Sequence, residues 1–439
     1  MSALSWIRYR RRALFLAGAV TVVGSILTAQ SPELHRLVWA ETTLLVPPAR
    51  VAAKRRLPQQ ITADEYSPAY ARRTLVPSML GSVAVGDIDG NGESSLYIVD
   101  PAGANVLLRN TGNDRFRDIT AAARVAGPGG SLSATFSDYD GSGHPSLFVA
   151  GADGLTLYHN NNNRTFSDVT QKAGLQSRPG ELYTGAVLGD IDGDGFPDLL
   201  VTIYTDLNRP PSKPVFTFPN DFSGAPSRLY RNNRDGTFID VTAASGLAGN
   251  PGRARKAISA DFNGDQRLDI LILRDDKPPV LYLNRGAGKF EDTTWDAGDA
   301  LTRHAFFDAA ATDLNHDGKP DLVLWSTQSF RALLNRGNAT FEPAKSIPLL
   351  TPLLSPFGFH GTVGDLDENG FDDVLAVDND GRLHAFANHA ATFQEVAVEL
   401  PPGFETSYLF PLRLKGLSRG GRLLAIQPDG RIVLLKSRE

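Results

Sequence analysis

Six short stretches of this sequence set oxygen-bearing side chains at alternate positions of a glycine-rich loop, a pattern suited to gripping a hard divalent cation. The fullest copy is Asp190-Ile191-Asp192-Gly193-Asp194-Gly195-Phe196-Pro197-Asp198, with oxygens at its first, third, fifth and ninth places. Three more copies offer Asp261, Asn263, Asp265 and Asp269, then Asp313, Asn315, Asp317 and Asp321, then Asp365, Asp367, Asn369 and Asp373. Two are poorer: Asp87, Asp89 and Asn91 are followed by Ser95, and Asp138 and Asp140 by Ser142 and Ser146. Glycine between the donors lets the backbone bend until the oxygens converge. Calcium accepts roughly six to eight oxygens in irregular geometry, whereas magnesium demands a near-ideal octahedron, so Ca2+ is the expected ion. The strongest site is expected at Asp190–Asp198, the next at the three loops that follow it, and the weakest at the first two. Without an ion, two carboxylates about 4 Å apart repel by roughly 4 kcal/mol at a surface-like dielectric, so an empty loop should be loose. One copy alone reads better as a metal-free turn rich in Asp and Asn. Four copies with three or four acids in one phase favour the cation.

These loops need elements to hold them, and their spacing says which. The first residues, Asp87, Asp138, Asp190, Asp261, Asp313 and Asp365, stand 51, 52, 71, 52 and 52 residues apart, so the chain is built of repeats. Each loop lies between short apolar runs such as Leu199-Leu-Val-Thr-Ile203, Ile270-Leu-Ile-Leu273 and Leu322-Val-Leu-Trp325, which suit buried strands. EF-hand loops need flanking helices instead, and nonapeptide arrays need a much shorter period. A second phrase follows each loop: Leu157-Tyr-His-Asn160 with Asp168-Val-Thr170, Leu229-Tyr-Arg-Asn232 with Asp240-Val-Thr242, Leu281-Tyr-Leu-Asn284 with Asp292-Thr-Thr294. Each predicts a hairpin about an Asn/Gly turn. Four strands per repeat is a propeller blade. Six blades are explicit, and a degraded seventh spans Leu412 to Leu435, one strand short. Gln59–Asp64 is expected to supply the missing strand and close the ring. The expected fold is all-β, a seven-bladed β-propeller over residues 58–439.

The frame Gly189-Asp-Ile-Asp-Gly-Asp-Gly-Phe-Pro-Asp-Leu-Leu-Val201, with Leu229-Tyr-Arg-Asn-Asn233 and Gly236-Thr-Phe-Ile-Asp-Val-Thr242, resembles the FG-GAP/VCBS repeat. The likeness runs from about residue 75 to about 435. It implies the seven-bladed propeller of integrin α heads and of many bacterial exported proteins, with calcium in the loops joining the first and second strands of a blade. The first two copies depart partly from the pattern and the seventh wholly, which puts metal there in doubt.

Composition narrows the partners. A net charge of −5 argues against nucleic acid, and the absence of cysteine removes disulfides, thiolate metal sites and cysteine nucleophiles. Arg8, Arg10, Arg11 and Arg12 precede an uncharged apolar run from Ala13 to Ala29, which reads as a signal-anchor helix or a cleaved signal peptide within residues 1–30. Either reading carries the remainder out of the cytoplasm, to the periplasm or cell surface. Residues 31–57 read as a stalk. The 71-residue interval comes from an insertion, Thr205 to Pro226, rich in Pro and Phe, which should project from the rim opposite the acidic loops, as a partner-binding loop or a cover for that face. The histidines fall at scattered phases of the repeat and read as surface or turn residues, while Trp295 and Trp325 are expected to pack inside blades.

The expected function is an exported, membrane-tethered, calcium-binding propeller serving adhesion or protein interaction. Its partner would be another envelope or extracellular protein, or a surface polysaccharide, and no catalysis is expected. The alternative is a carbohydrate-binding or polysaccharide-lyase propeller, which convergence of Arg, Tyr and His at the ring centre would favour.

Overall fold

The computed structural model describes residues 36–46, 59–79, 81–112, 115–326, 330–344, 360–367, 369–377, 383–400, 408–412, 422–426 and 432–437. The apolar run taken as an anchor lies outside them, and among the described residues no helix is long and apolar enough to cross a membrane.

Hairpins at the acidic loops generate the architecture. The ninth place of each loop is also the first residue of the next strand: Gly189 pairs with Asp198, Ala260 with Asp269, Thr312 with Asp321 and Gly364 with Asp373. A second hairpin completes each repeat, giving five four-stranded antiparallel sheets. In the third, the strands are Glu181–Gly189, Asp198–Asp206, Arg228–Asn232 and Phe238–Asp240. First strands lie side by side around the centre, as Ser131–Ser137 does against Glu181–Gly189 and that strand against Ala254–Ala260. The second strands are buried on both faces, all but the last residue of Asp198–Asp206, because each sheet is covered by its neighbours.

The core therefore lies between sheets. One cluster joins Phe148 and Leu157 to Tyr183, Leu199 and Tyr230, and another joins Leu271 and Leu281 to Leu322 and Leu324. Each such side chain stabilises the ring by about 1.5–3 kcal/mol of burial. The recurring Asp-x-Thr ends the fourth strand. Asp240 Oδ1 accepts from both Thr242 N (2.9 Å) and Thr242 Oγ1 (2.6 Å), and the hydroxyl accepts Leu229 N at 3.0 Å.

Several expectations need correction. The described residues form a ring of six sheets, not seven separate blades. The last sheet has eight strands and holds both the sixth repeat, from His360–Gly364 to Thr392–Glu399, and the degraded stretch Tyr408–Leu412, Arg422–Ile426 and Ile432–Ser437. The joining strand is Arg36–Val46, antiparallel to Ile432–Ser437 and parallel to Thr392–Glu399 through Arg36–Val38. That strand lies within the stretch read as a stalk, and it fills the gap assigned to Gln59–Asp64. Gln59–Thr62 instead pairs with Val215–Phe218 of the insertion. The insertion's aromatics do not project. Phe216, Phe218 and Phe222 are buried with Ile61, Leu75 and Tyr204, and Tyr66 packs edge-on to Phe216. Trp325 is buried as expected, but Trp295 is 86% exposed.

Candidate metal centres

Each of the first five acidic loops turns on two left-handed residues, at its fourth and sixth places, and Gly370 holds the sixth place of the last loop at φ 95°. The pair is Gly193 and Gly195 (φ 80° and 93°) in the third loop, with Gln266 (66°) and His316 (62°) replacing glycine in the fourth and fifth. The bend brings backbone N–H groups onto the first carboxylate. Asp190 Oδ1 accepts from Asp194 N at 2.8 Å and Oδ2 from Gly195 N at 2.9 Å, and Asp313 and Asp87 repeat the arrangement.

The ninth carboxylate does different work. Asp198 Oδ2 accepts Ile191 N at 3.1 Å while Oδ1 accepts Asn232 N at 2.8 Å, so the side chain clamps its own loop to the third strand. Asp269, Asp321 and Asp373 do the same with Asn284, Asn335 and Asn388. Burial pushes Asp198 and Asp373 up from 3.8 to about 7, aided by the other acids of their loops, and Asp269 and Asp321 to about 6.

Two loops gather three carboxylates with one oxygen each inside 4.8 Å: Asp190, Asp192 and Asp194, and Asp365, Asp367 and Asp373. Both contain a buried carboxylate oxygen without a hydrogen-bond partner, Asp192 Oδ1 and Asp365 Oδ1. A buried anionic oxygen left bare is costly, and a divalent cation among these acids would satisfy it. The donor set is all oxygen, so the residues fit Ca2+.

Elsewhere a cationic side chain competes. Asp89 Oδ2 is held by Arg109 Nη2 at 2.6 Å and Arg164 Nε at 3.2 Å. Arg267 bonds Asp265, and Lys319 Nζ lies 3.0 Å from Asp317 Oδ2. Asp140 Oδ2 lies 3.2 Å from His159 Nδ1, within ion-pair reach though not aimed as a hydrogen bond. In the third loop Arg234 Nε takes Asp194 Oδ2 at 2.7 Å but leaves Asp190 and Asp192 unpaired with cations.

One set of residues escaped the sequence reading. In the second to sixth repeats an asparagine at the end of the third strand is buried, and its amide donates to two carbonyls at once. Asn284 Nδ2 bonds Ile191 O (2.7 Å) in the preceding repeat's acidic loop and Leu268 O (3.2 Å) in its own. Asn160 reaches Ile88 O and Pro145 O, Asn232 Tyr139 O and Pro197 O, Asn335 Phe262 O and Pro320 O, and Asn388 Leu314 O and Asp372 O. The signal for three of them is the final Asn of the Leu-Tyr-x-Asn phrases, which points to a turn; Asn335 and Asn388 end Ala332-Leu-Leu-Asn and Ala385-Phe-Ala-Asn instead.

Between the first strands lies a cavity of about 450 Å3, lined by Ser82, Thr135, Thr184, Arg255, Lys256, Phe307 and Asp308 among others. Lys256 Nζ lies 2.5 Å from Asp308 Oδ1, and Arg255, paired with Asp275, stacks 5.1 Å from the Phe307 ring centre. Among the described residues lining it, Arg255 is present but neither tyrosine nor histidine joins it.

The FG-GAP-like repeat model matches residues 87–149, 138–201, 215–272, 261–324 and 313–376, together more than half the chain. This chain belongs to the FG-GAP-like repeat family. It is 25% identical to cartilage acidic protein 1 of Mus musculus over 351 residues, 74% of this chain and 52% of that protein. The chain thus spans about half the length of that relative. Among solved structures, the fold is similar to BBS1N, determined in complex with ARL6DN, with a TM-score of 0.52, 12% identity and 92% and 98% of the two chains covered. It is also similar to the BP39L lectin of Burkholderia pseudomallei, with a TM-score of 0.52, 15% identity and 81% and 95% covered. At these identities the likeness concerns the fold alone.

Proposed function

We propose that this FG-GAP propeller is an exported, calcium-stiffened binding module for another protein or a surface carbohydrate. The observation that carries the cation is the bare, buried Asp192 Oδ1 amid three converging acids, repeated at Asp365 Oδ1. Asp190, Asp192 and Asp194, and Asp365, Asp367 and Asp373, would hold the strongest ions. The loops with Arg267, Lys319 and Arg109 beside their acids would bind more weakly. The bound ion supplies charge neutralisation and fixes the loop, which leaves the rigid ring to present a surface.

Binding is assigned to the rim opposite the ions. There the insertion is packed into a firm floor rather than extended as a flexible arm. A carbohydrate partner is supported by the cavity between the first strands, whose hydroxyls and Lys256–Asp308 pair offer donors and acceptors to a polyol. BP39L is named a lectin, and BBS1N was solved with a protein partner, so this architecture serves either kind of ligand.

Calorimetry of the purified protein with Ca2+ should show saturable binding, with EDTA lowering its melting temperature. No heat and an unmoved melting point would remove the cation from this reading. A glycan array run beside a pull-down from envelope extract then separates sugar from protein partners. An assay on uronate polymers tests the lyase alternative, which predicts product formation where the binding reading predicts none.

A further inference from the structure

We propose that the five asparagine amides couple the acidic loops into a series, so that a cation ordering one loop strengthens cation binding in its neighbours. The proposal rests on the cation reading above and goes beyond it, since independent sites would satisfy that reading equally.

Asn284 shows the device. Its amide has two hydrogens at a fixed angle, one given to Ile191 O and one to Leu268 O. Ile191 sits between the ligand candidates Asp190 and Asp192, and Leu268 immediately precedes Asp269. The side chain is fully buried, so no water replaces either bond once broken. The backbone of Asn284 is tied as well, through its N–H to Asp269 Oδ1 at 2.8 Å. When repulsion loosens an empty third loop, the Ile191 carbonyl moves and pulls on a residue anchored in the fourth. A cation that fixes the third loop fixes that carbonyl, and the fourth loop is then ordered at lower cost. Asn160, Asn232, Asn335 and Asn388 repeat the connection between the other neighbouring loops. The series has a beginning, because Asn110 of the first sheet turns its amide to Glu93 Oε2 of its own loop, at 3.3 Å.

Hydrogen exchange read by mass spectrometry against Ca2+ concentration follows each loop separately. Disabling the third loop with Asp192→Asn should raise severalfold the Ca2+ needed to half-protect peptides 261–269 and 138–146, and shift 365–373, three bridges away, less. Adding Asn284→Asp, which removes the donor, should abolish the effect on 261–269 while leaving that on 138–146, which runs through Asn232. If Asn284→Asp fails to fold, the graded decay with bridge number in Asp192→Asn alone carries the test. Loops that each bind Ca2+ with midpoints indifferent to Asp192→Asn would overturn the coupling alone. Absence of any Ca2+ protection would overturn the cation reading and the coupling with it.

Discussion

Left-handed backbone recurs at the fourth and sixth places of the acidic loops, and side-chain identity decides how much strain it stores. Gln266 holds φ 66° at an exposed position where the other described loops have glycine, so Gln266→Gly should raise stability by about 0.5–1 kcal/mol in urea melts. His316→Gly should gain less, because the His316 ring stacks on Phe371 at 4.2 Å and that contact would be lost. The clamping aspartates give a pH signature in chelator. Asp198 and Asp373 are pushed up to about 7 and Asp269 and Asp321 to about 6. A carboxyl with a raised folded pKa binds its proton more tightly in the fold, so its contribution is present at low pH and lost as pH rises from near 4 toward 7. The metal-free protein should therefore melt higher near pH 5 than near pH 8, and saturating Ca2+ should flatten the difference. A melting point that instead rises with pH would contradict burial as the dominant cause. The carboxylates were legible in the sequence because their partners lie within nine places. The asparagines were not, since Asn284 meets Ile191 across 93 residues and its phrase points to a local turn.

Between elements, what matters is whether a side chain serves its own strand or the next sheet. Asn284→Ala should cost about 2 kcal/mol or more, because two buried carbonyls lose their donor together, whereas the exposed turn residue Asn233→Ala should change stability by less than about 0.5 kcal/mol. Equal losses in the two variants would show the amide to be solvated. The insertion follows the same logic. Phe216 is 2% exposed and meets both Tyr66 and Phe222, so Phe216→Ala should destabilise by about 3–5 kcal/mol. Its prolines and phenylalanines looked like a projecting loop because Ile61 and Tyr66 lie far upstream. Strand period alone does not reveal that a distant segment arrives to cover it. Arg253 reinforces the attachment, giving Nη1 to Asn220 O and Phe222 O while its Nε bonds Asp275 Oδ1.

At the scale of the ring, repeats set the sheet content and the termini set the closure. The period of about 52 residues made the propeller readable before any coordinates, because each unit needs a neighbour to bury its faces. Closure depends on a single strand whose register has no repeat to announce it. Arg36–Val46 carries none of the Asp-x-Thr chemistry that ends the first four sheets, so the chain gave no reason to prefer it to Gln59–Asp64. Its two pairings have different weights: six Cα partners with Ile432–Ser437 against three with Thr392–Glu399. Removing it exposes the edges of both those strands at once, an invitation to pairing with other chains. A protein beginning at residue 58 should therefore melt lower and form dimers or larger species by light scattering, while one beginning at residue 33 stays monodisperse with the full melting temperature. If both behave alike, closure lies elsewhere. Because the asparagine series starts at the first sheet, opening the ring at this seam should leave the six acidic loops' mutual bonds intact, and Ca2+ should still protect them from exchange in the shortened chain.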